Sequence, residues 1–515
     1  MADKMQTALV FEGNNFKYEM ENVTKLFFPL RHFAFRYDGV VPEDNYIFFS
    51  MREMENGSVK LMVQISLPAE KETPEIRSSR ESCLQGGLIE NKYESELARL
   101  LYAQLNEATG IRPAWGILTG VRPVKLVQKR LDAGMTDEEI KGEMKAQDLV
   151  SDGKLSLALK IAHVQARLLQ NRTNRDYSLY LSIPYCPSRC SYCSFVSQAI
   201  TGKKAQELLP RYLMALIKEL RVTAEVAKKQ GMRLRSIYLG GGTPTVLSAS
   251  QLRQLTGAVK DYFLSGSDNR GDGRIEYTIE AGRPDTITPE KLEVIKNSGA
   301  TRISINPQTF SDAVLQKIGR KHSAQDVIDC YRMARQMGFD DINMDLIAGL
   351  PGDDYEGFCR SLDTAAALRP ENITVHSLTV KRSSALYDGI EEMEDYRPVQ
   401  RMMDYAESKL IGDGYDPYYL YRQKNTVGNL ENVGYALPGY WGEYNVYIME
   451  EIQNIFACGA GAVSKVLRPG GLDRIYNFKY PYEYLDRFAD ILERKQQLSQ
   501  LLSEAGKEWD HGIGR

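Results

Sequence analysis

The sequence predicts an α/β protein, a partial (β/α)6 TIM-type barrel with an N-terminal α+β accessory domain and a C-terminal covering region. Between about residues 177 and 378, six short β-rich segments alternate with segments of helical periodicity. Strands that alternate with helices form right-handed crossovers and a parallel sheet. A closed barrel of this kind has eight strands, so we expect this one to be partial. Polar candidate residues also cluster at the ends of the predicted strands.

The N-terminal part, residues 1–171, is predicted to be a small α+β accessory domain. Residues 7–70 look rich in strands, because KLFFPLRHFAFRY and YIFFSMREMENGSVKLMVQISL contain aromatic and β-branched stretches divided by turn residues. Residues 93–109 and 121–171 have the periodicity of amphipathic helices. We assign no chemistry to this domain from its sequence.

The barrel itself is predicted to span residues 172–390. Its six strands are predicted at 178–183, 235–239, 274–280, 302–306, 341–347 and 372–378. The helices between and after them are predicted at about 205–230, 249–264, 288–295, 311–318, 323–337 and 354–368. Residues 391–515 form the remaining region, with a helix at 395–412, and we expect it to cover the open side of the barrel.

Composition narrows the class of protein. The chain has 515 residues, 43% of them hydrophobic and 26% charged, which is typical of a globular protein. Its formal net charge of −3 gives no electrostatic argument for a nucleic-acid partner. No apolar run approaches the ~20 residues of a membrane helix, and the first residues turn polar too early for a signal peptide. We therefore expect a cytoplasmic protein without a membrane span.

Three of the seven cysteines lie together in one short segment. Cys186, Cys190 and Cys193 have the spacing C-x3-C-x2-C directly after the first predicted barrel strand. Three thiolates on one loop can bind three irons of a [4Fe–4S] cluster, because soft sulfur ligands suit iron–sulfur chemistry. The fourth iron then has no side-chain ligand and can bind the amino and carboxylate groups of S-adenosylmethionine (SAM).

Two other interpretations of these cysteines remain. A structural zinc ion would need a fourth ligand, and the segment contains no further Cys or His, although a distant one of the five histidines could supply it. The thiols could also be unligated. The odd number of cysteines and their scattered positions elsewhere argue against a disulfide scaffold. The preceding strand and the glycines that follow favour the cluster.

Further candidates occur at or just beyond the ends of the later strands, where the chemistry of parallel α/β folds is located. Gly240, Gly241 and Gly242 end the second strand, and glycine lets backbone groups approach a ligand closely. A tight strand-to-helix turn would explain the same triplet. Glu280 ends the third strand and can accept hydrogen bonds from a ribose or an ammonium group.

Several longer strings carry a resemblance to a known family. YLSIPYCPSRCSYCSF, LGGGTPT, RISINPQTF and NMDLIAGLPGD resemble the radical SAM superfamily and, within it, the oxygen-independent coproporphyrinogen III oxidase family. WGILTGVRPVKLV and YYLYRQKNTVGNLENVGYA are similar to the HemZ-type coproporphyrinogen dehydrogenase branch. The resemblance covers about residues 177–465. It implies a [4Fe–4S] cluster held by Cys186, Cys190 and Cys193, with SAM as the second cofactor.

The resemblance also implies which residues bind SAM, although several have simpler explanations. A helix-surface position would explain Arg320, and Tyr192 could merely wall the cluster. The SAM-binding residues implied by the resemblance are Tyr180, Tyr192, Gly241, Gly242, Thr243, Glu280, Gln308, Arg320, Asp345 and Thr379. Beyond the cluster and the cofactor, no separate catalytic side chain is implied.

The family's reaction is the oxidative decarboxylation of two coproporphyrinogen III propionates to vinyl groups, giving protoporphyrinogen IX in heme biosynthesis. It implies a porphyrinogen substrate and a one-electron donor such as flavodoxin or ferredoxin. The four carboxylates of that substrate suggest Lys381, Arg382, Arg422 and Lys424 as ligands. Five tyrosines could face a tetrapyrrole or pack in the core: Tyr418, Tyr419, Tyr421, Tyr435 and Tyr440.

Two positions depart from the best-characterised form of the family. Phe195 replaces a fourth cysteine, and Ser182 replaces a histidine. The arrangement C-x3-C-x2-C-x-F is shared with the heme-chaperone branch, which binds heme without oxidising coproporphyrinogen. A heme-binding delivery protein is therefore an alternative, and a radical enzyme that acts on another substrate is a third.

Overall fold

The chain divides into two compact structural units. The first contains the described residues of Met1–Ala162, Gly389–Arg397 and Arg422–Glu431, and the second contains those of His163–Asp388, Pro398–Tyr421 and Asn432–Arg515. The predicted three-part division at residues 171 and 390 stays a prediction. The computed structural model describes residues 6–29, 31–69, 74–170, 172–195, 197–265, 275–379, 384, 397–423 and 426–510.

The first unit is built on a five-stranded sheet with the strand order β2-β1-β3-β4-β5. Its strands are β1 (Thr7–Glu12), β2 (Phe33–Arg36), β3 (Tyr46–Glu53), β4 (Ser58–Leu67) and β5 (Ile76–Gln85). Strand β1 is parallel to both of its neighbours, whereas β3, β4 and β5 are antiparallel. The helices that begin in this unit are α1 (Lys17–Phe27), α2 (Glu90–Thr109), α3 (Pro123–Asp132), α4 (Asp137–Gln147) and α5 (Asp152–Leu168).

The core of the first unit lies between one face of this sheet and helices α1 and α2. Leu9, Phe49 and Val63 alternate along the strands and pack against Leu97 and Leu101 of α2. Residues 25–27, within a segment predicted to be strand, instead end α1. Met20, Val23 and Phe27 recur at helical spacing and are buried together.

The second unit contains an eleven-stranded sheet and a short ribbon formed by β7 and β8. Its strands are β6 (Asp176–Ile183), β7 (Tyr185–Cys186), β8 (Gln198–Ala199), β9 (Arg233–Gly241), β10 (Glu276–Gly282), β11 (Arg302–Ile305), β12 (Ile342–Ala348), β13 (Asn372–Ser377), β14 (Asp416–Arg422), β15 (Glu431–Ala436), β16 (Asn454–Cys458), β17 (Val463–Arg468) and β18 (Gly471–Tyr476). Its helices are α6 (Lys203–Lys229), α7 (Ala249–Val259), α8 (Pro289–Asn297), α9 (Asp312–Lys317), α10 (Ala324–Gln336), α11 (Tyr355–Leu368), α12 (Arg397–Gly412), α13 (Glu443–Glu450), α14 (Pro481–Asp486) and α15 (Phe488–Asp510).

The six predicted barrel strands are β6 and β9 to β13, and they lie side by side in sequence order, all parallel. The predicted α/β fold with a partial barrel is confirmed. The region after residue 391 also adds strands to the sheet: β16 is parallel to β6 at one side, and β15 is antiparallel to β13 at the other. None of the helices formed by the described residues combines the length and the apolar character needed to cross a bilayer.

Candidate functional site

The cysteine loop begins where β6 ends and is fixed there by backbone hydrogen bonds to the next strand. The amide of Gly242 donates to the carbonyl of Ile183 at 2.8 Å, and the amide of Thr243 donates to the carbonyl of Tyr185 at 2.8 Å. At the other side of the loop, the amide of Ser191 donates to the carbonyl of Ile318 at 3.1 Å. The loop is therefore held between β9 and the end of α9.

The three thiols are free of disulfide bonds and shielded from solvent to different degrees. Cys190 is buried, and Cys186 and Cys193 are half-buried. Burial raises the pKa of Cys186 and of Cys193, and the charge of Cys190 raises both further. Bound iron would offset this penalty, because a metal ion stabilises the thiolate form.

The donor set fits an iron–sulfur cluster. Each thiolate of a cubane cluster binds a different iron, so the sulfur atoms need not converge on one ion. Among the residues that the structure describes, no group of three or more His, Cys, Asp or Glu could hold a single metal ion, which is what the zinc alternative requires. Cys186, Cys190 and Cys193 would hold the cluster through their sulfur atoms.

The glycine triplet brings β9 into direct contact with the cysteine loop. A Cβ atom on Gly242 would lie 2.5 Å from the carbonyl oxygen of Tyr185 and 2.9 Å from Sγ of Cys186. Gly241 has a φ of +109°, which side chains with a Cβ rarely adopt. The hydroxyl of Thr243 lies 3.6 Å from Sγ of Cys186. These glycines therefore permit the close approach on which the loop depends.

Tyr192 and Arg320 form a second group beside the same loop. Nη2 of Arg320 donates to the hydroxyl of Tyr192 at 3.0 Å, and Nη1 donates to the carbonyl of Asn306 at 2.6 Å. Its Nε and the side-chain oxygen of Asn306 are buried without a hydrogen-bond partner among the described residues. A buried cation with a free donor fits an anionic group such as the carboxylate of SAM.

Glu280 lies inside the barrel, one strand away from the glycines. Its Oε1 accepts a hydrogen bond from the hydroxyl of Tyr238. Burial raises the pKa of Glu280 to about 7, and nearby Asp345 adds to this effect, although Tyr238 and His376 act against it. A carboxyl group of this kind gains a partner when a cationic or hydroxyl-bearing ligand binds beside it.

Asp345 and Gln308 are joined through the backbone. The amide of Gln308 donates to the carbonyl of Asp345 at 2.9 Å, and Gln308 has a φ of +67°. The side chain of Asp345 accepts a hydrogen bond from Asn343 at 2.8 Å. Burial opposes its ionisation, but His376 and Asn343 outweigh burial and hold its pKa below the usual range. Tyr180 and Asp345 both interact electrostatically with Glu280.

Thr379 is the remaining residue of the SAM-binding set. Its hydroxyl donates to the carbonyl of Ser377 at 3.4 Å, just after β13. Its role stays a prediction, as do the roles of the other residues in the set. The structure brings together Glu280, Asp345 and Tyr180 in the barrel, and Arg320 and Tyr192 at the cysteine loop.

An aromatic stack that no sequence pattern indicated lies close to the Glu280 carboxylate. Tyr444, from α13, stacks on Tyr238 with ring centroids 4.5 Å apart and on Tyr180 at 6.2 Å. No motif marked Tyr444, because α13 comes from the region after the barrel. The β9 strand pattern could have indicated Tyr238, since its Cα pairs in register with Thr278, two residues before Glu280.

The substrate candidates have different outcomes. Arg422 is buried and donates to the carbonyls of Leu118, at 2.8 Å, and Gly120, and its guanidinium lies over the ring of Trp115. These contacts join Arg422 to the backbone of the first unit, and its role in substrate binding stays a prediction. Lys381, Arg382 and Lys424 lie outside the described residues. Tyr418, Tyr419 and Tyr435 are buried, as their core interpretation expects.

Residues 180–365 match the family profile of the Radical SAM superfamily. The chain is 35% identical over 500 residues to the "Oxygen-independent coproporphyrinogen-III oxidase-like protein HemZ" of Bacillus subtilis (strain 168), covering 95% of this chain and 97% of that protein. It is 32% identical to the "Heme chaperone HemW" of the same organism, covering 61% of this chain and 76% of that one. The solved structure of HemN from Escherichia coli, a coproporphyrinogen III oxidase, aligns with a TM-score of 0.48 at 20% identity, over 68% of this chain and 82% of that chain.

The barrel and its cysteine loop are those of a radical SAM protein, a class that combines a [4Fe–4S] cluster with SAM. Within this class, the chain belongs to the family of HemZ-type, oxygen-independent coproporphyrinogen-III oxidase-like proteins. Both cofactors predicted from the cysteine spacing and the resemblance are therefore confirmed at the level of the family. The identities of the ligating residues stay a prediction.

Proposed function

We propose that this protein is an oxygen-independent coproporphyrinogen III dehydrogenase that forms protoporphyrinogen IX. The observation that carries the proposal is the similarity to a HemZ protein over 95% of the chain, which includes the regions outside the barrel. When bound, the reduced cluster and SAM together supply a 5′-deoxyadenosyl radical. Each reacting propionate gives one hydrogen atom from its β-carbon to such a radical, then loses carbon dioxide and one electron, and becomes a vinyl group.

The residues of the chain would orient SAM and exclude water. Arg320 presents a buried guanidinium to a carboxylate, and Glu280 presents a half-buried carboxyl to an ammonium or a ribose hydroxyl. Tyr180 and Tyr444 form an apolar wall beside Glu280. Fixed polar partners inside such a wall hold a bound cofactor in one orientation, which is the contribution that proteins make to cofactor chemistry.

An anaerobic assay tests this proposal. Reconstituted protein is incubated with coproporphyrinogen III, SAM and a one-electron reductant, and porphyrins, carbon dioxide and 5′-deoxyadenosine are quantified. We expect vinyl-bearing products in proportion to carbon dioxide. Cys190→Ala should abolish the thiolate-to-iron absorption and nucleoside release. Its matched control is Cys330→Ala, at a buried cysteine of α10, which should change neither. Nucleoside release without any porphyrin product would rule the substrate out.

A heme-binding delivery function is the second candidate. Phe195 follows the third cysteine by two residues and is 54% exposed, and the HemW protein of Bacillus subtilis is 32% identical to this chain. Titration with heme separates the two functions. Retention of heme through gel filtration, together with SAM cleavage and no decarboxylation, would favour delivery over the dehydrogenase.

A further inference from the structure

Arg283 is a buried cation next to the cysteine loop that the SAM-binding set does not include. It follows Glu280 by three residues, just after the end of β10, and is 3% exposed. Its carbonyl accepts hydrogen bonds from the amide of Thr286, at 2.9 Å, and from the hydroxyl of Thr286, at 2.8 Å. Gly282, with a φ of +67°, makes the turn before it. The backbone that carries this side chain is therefore well fixed.

One edge of the Arg283 guanidinium is occupied by Asp285. Nε donates to Oδ1 of Asp285 at 2.9 Å, and Nη2 donates to Oδ2 at 2.8 Å. Burial opposes ionisation of Asp285, but contacts with His322 and Arg283 outweigh burial and hold its pKa well below the usual range. Asp285 therefore stays a carboxylate, and this two-bond pair fixes the plane and the direction of the guanidinium.

The remaining nitrogen of Arg283 reaches the cysteine loop. Nη1 donates to the hydroxyl of Ser188 at 2.8 Å and to its carbonyl at 3.3 Å, and it lies 3.9 Å from Sγ of Cys190. Nη1 does not belong to the edge that binds Asp285, so this ion pair presents its positive end to the sulfur. A neutral side chain could bind Ser188 equally well, but it would not bring charge to Cys190.

We propose that Arg283 is a positioning residue that raises the reduction potential of the iron–sulfur cluster by holding positive charge at the Cys190 sulfur. The inference rests on the proposed role of Cys190 as a ligand. Reduction adds one negative charge to the cluster, and a buried cation close to a ligand sulfur attracts that added charge more strongly than a cation exposed to water would. Hydrogen bonds and charges at the sulfurs are among the factors that set the potential of such a cluster.

The test compares wild-type protein with Arg283→Gln, Arg283→Lys and Arg332→Gln, all with reconstituted clusters. Arg332 serves as the control because its side chain is 65% exposed on α10. Iron and sulfide are quantified first. The midpoint potential is then measured without SAM by a titration in which a chemical reductant transfers one electron to the cluster and no bond changes. Electron paramagnetic resonance follows the reduced form.

We expect Arg283→Gln to keep its iron and to lower the ratio of reduced to oxidised cluster at a fixed potential at least about threefold, which is about 28 mV at 59 mV per tenfold for one electron. Arg283→Lys keeps the charge but loses the fork, so its shift should be smaller. Arg332→Gln should match the wild type. A wild-type potential in Arg283→Gln would overturn the proposal.

The iron content of the variants distinguishes a loss of loop stability from a change in the reduction potential. If Arg283→Gln loses iron, a second neutral variant, Arg283→Met, decides: a lowered potential supports the proposal, and a wild-type potential overturns it. Loss of iron from both variants also overturns it, because Arg283 would then support the loop rather than tune a bound cluster. The iron content of Cys190→Ala is measured before any potential. Full iron in that variant would contradict the assignment of Cys190 as a ligand, not the effect of Arg283.

Discussion

Tyr238 donates its hydroxyl hydrogen to Oε1 of Glu280, across the neighbouring parallel strands β9 and β10. Both side chains face the interior of the barrel, because Tyr238 pairs in register with Thr278 and side chains two residues apart on a strand share a face. Glu280 is thereby held beside the glycine turn, where its pKa is raised to about 7. The pair therefore places a carboxyl group that gains or loses a proton near neutral pH at the proposed SAM site.

The raised pKa of Glu280 predicts that SAM binding depends on pH. The carboxylate form, which binds an ammonium or hydroxyl group more strongly, becomes populated as the pH rises through about 7. We expect the affinity for SAM to increase roughly fivefold to tenfold between about pH 6 and about pH 7.5, below the titration of an α-amino group. Equilibrium binding to the reconstituted protein measures it. Glu280→Gln should bind SAM weakly, with an affinity that does not depend on pH in this range. If that variant keeps the wild-type pH profile, Glu280 does not bind SAM.

Loss of the Tyr238 hydroxyl should move this profile. In Tyr238→Phe the carboxylate loses a hydrogen bond that lowers its pKa, so the profile shifts to higher pH and the KM for SAM increases by up to about tenfold, consistent with ~1.5 kcal/mol for a hydrogen bond to a charged group. Tyr277→Phe is the control, since Tyr277 alternates to the other face of β10. Equal profiles for both variants would mean that Tyr238 does not orient Glu280.

The order and type of the barrel elements were predictable, because strand and helix periodicities alternate regularly from β6 to β13. The edges of the sheet were not. Strand β16 pairs with β6 across more than 270 residues of sequence, and such pairing is decided by tertiary contacts that local patterns do not encode. The strand pattern expected from Lys25 onwards was wrong at residues 25–27 for a related reason, since burial against α2 favours a helix there.

The site was predictable where a motif names the residue and was missed where only packing does. Cys190 and Glu280 became candidates from spacing, a strand end and the family resemblance, and their roles stay predictions. Arg283 and Tyr444 were missed, because a buried arginine after a strand and a tyrosine on α13 look like surface and core residues in sequence. Arg422 was a candidate because of its charge, and the structure adds that it donates to backbone carbonyls.

The close approach at Gly242 predicts that a single methyl group disrupts the cysteine loop. In Gly242→Ala the new Cβ would lie 2.5 Å from the carbonyl oxygen of Tyr185, so β7 must move away from β9. We expect reconstituted iron content to fall several-fold while the circular dichroism spectrum is retained. Gly257→Ala, in helix α7 with nothing within 4 Å of the added atom, should keep full iron. Normal iron content in Gly242→Ala would show that the backbone at Tyr185 can move away from the added Cβ without loss of the cluster.

The contacts of Arg320 predict that its substitution weakens SAM binding without changing the iron content. Its guanidinium contacts Tyr192 and Asn306, and one nitrogen has no partner among the described residues. Arg320→Ala should weaken SAM binding at least about tenfold, as expected when a charge-assisted hydrogen bond of ~1.5–3 kcal/mol is lost, and should leave the iron content unchanged. Arg320→Lys should recover part of the affinity. Loss of iron in parallel with SAM would instead assign Arg320 to support of the loop.

Glu219 on α6 is the centre of a buried polar network that joins the barrel to the last helix. It accepts hydrogen bonds from Tyr484 at 2.6 Å, from Asn477 at 2.8 Å and from the amide of Gly459 at 2.8 Å. Lys495 of α15 lies 2.9 Å from the same carboxylate, and the two side chains are 2% and 0% exposed. Lys495 supplies the positive charge in this network.

Lys495→Met should therefore destabilise the second unit strongly. The substitution keeps an apolar side chain of similar length but leaves the Glu219 carboxylate without its cation, and removing one partner of a buried pair costs about 3–5 kcal/mol. Unfolding in urea, followed by circular dichroism, should show a clearly lower midpoint than in the wild type. Lys507→Met, at an exposed position of the same helix, should change the midpoint little. A stability equal to that of Lys507→Met would mean that the three neutral donors satisfy Glu219 without Lys495, and that the carboxyl group takes up a proton instead.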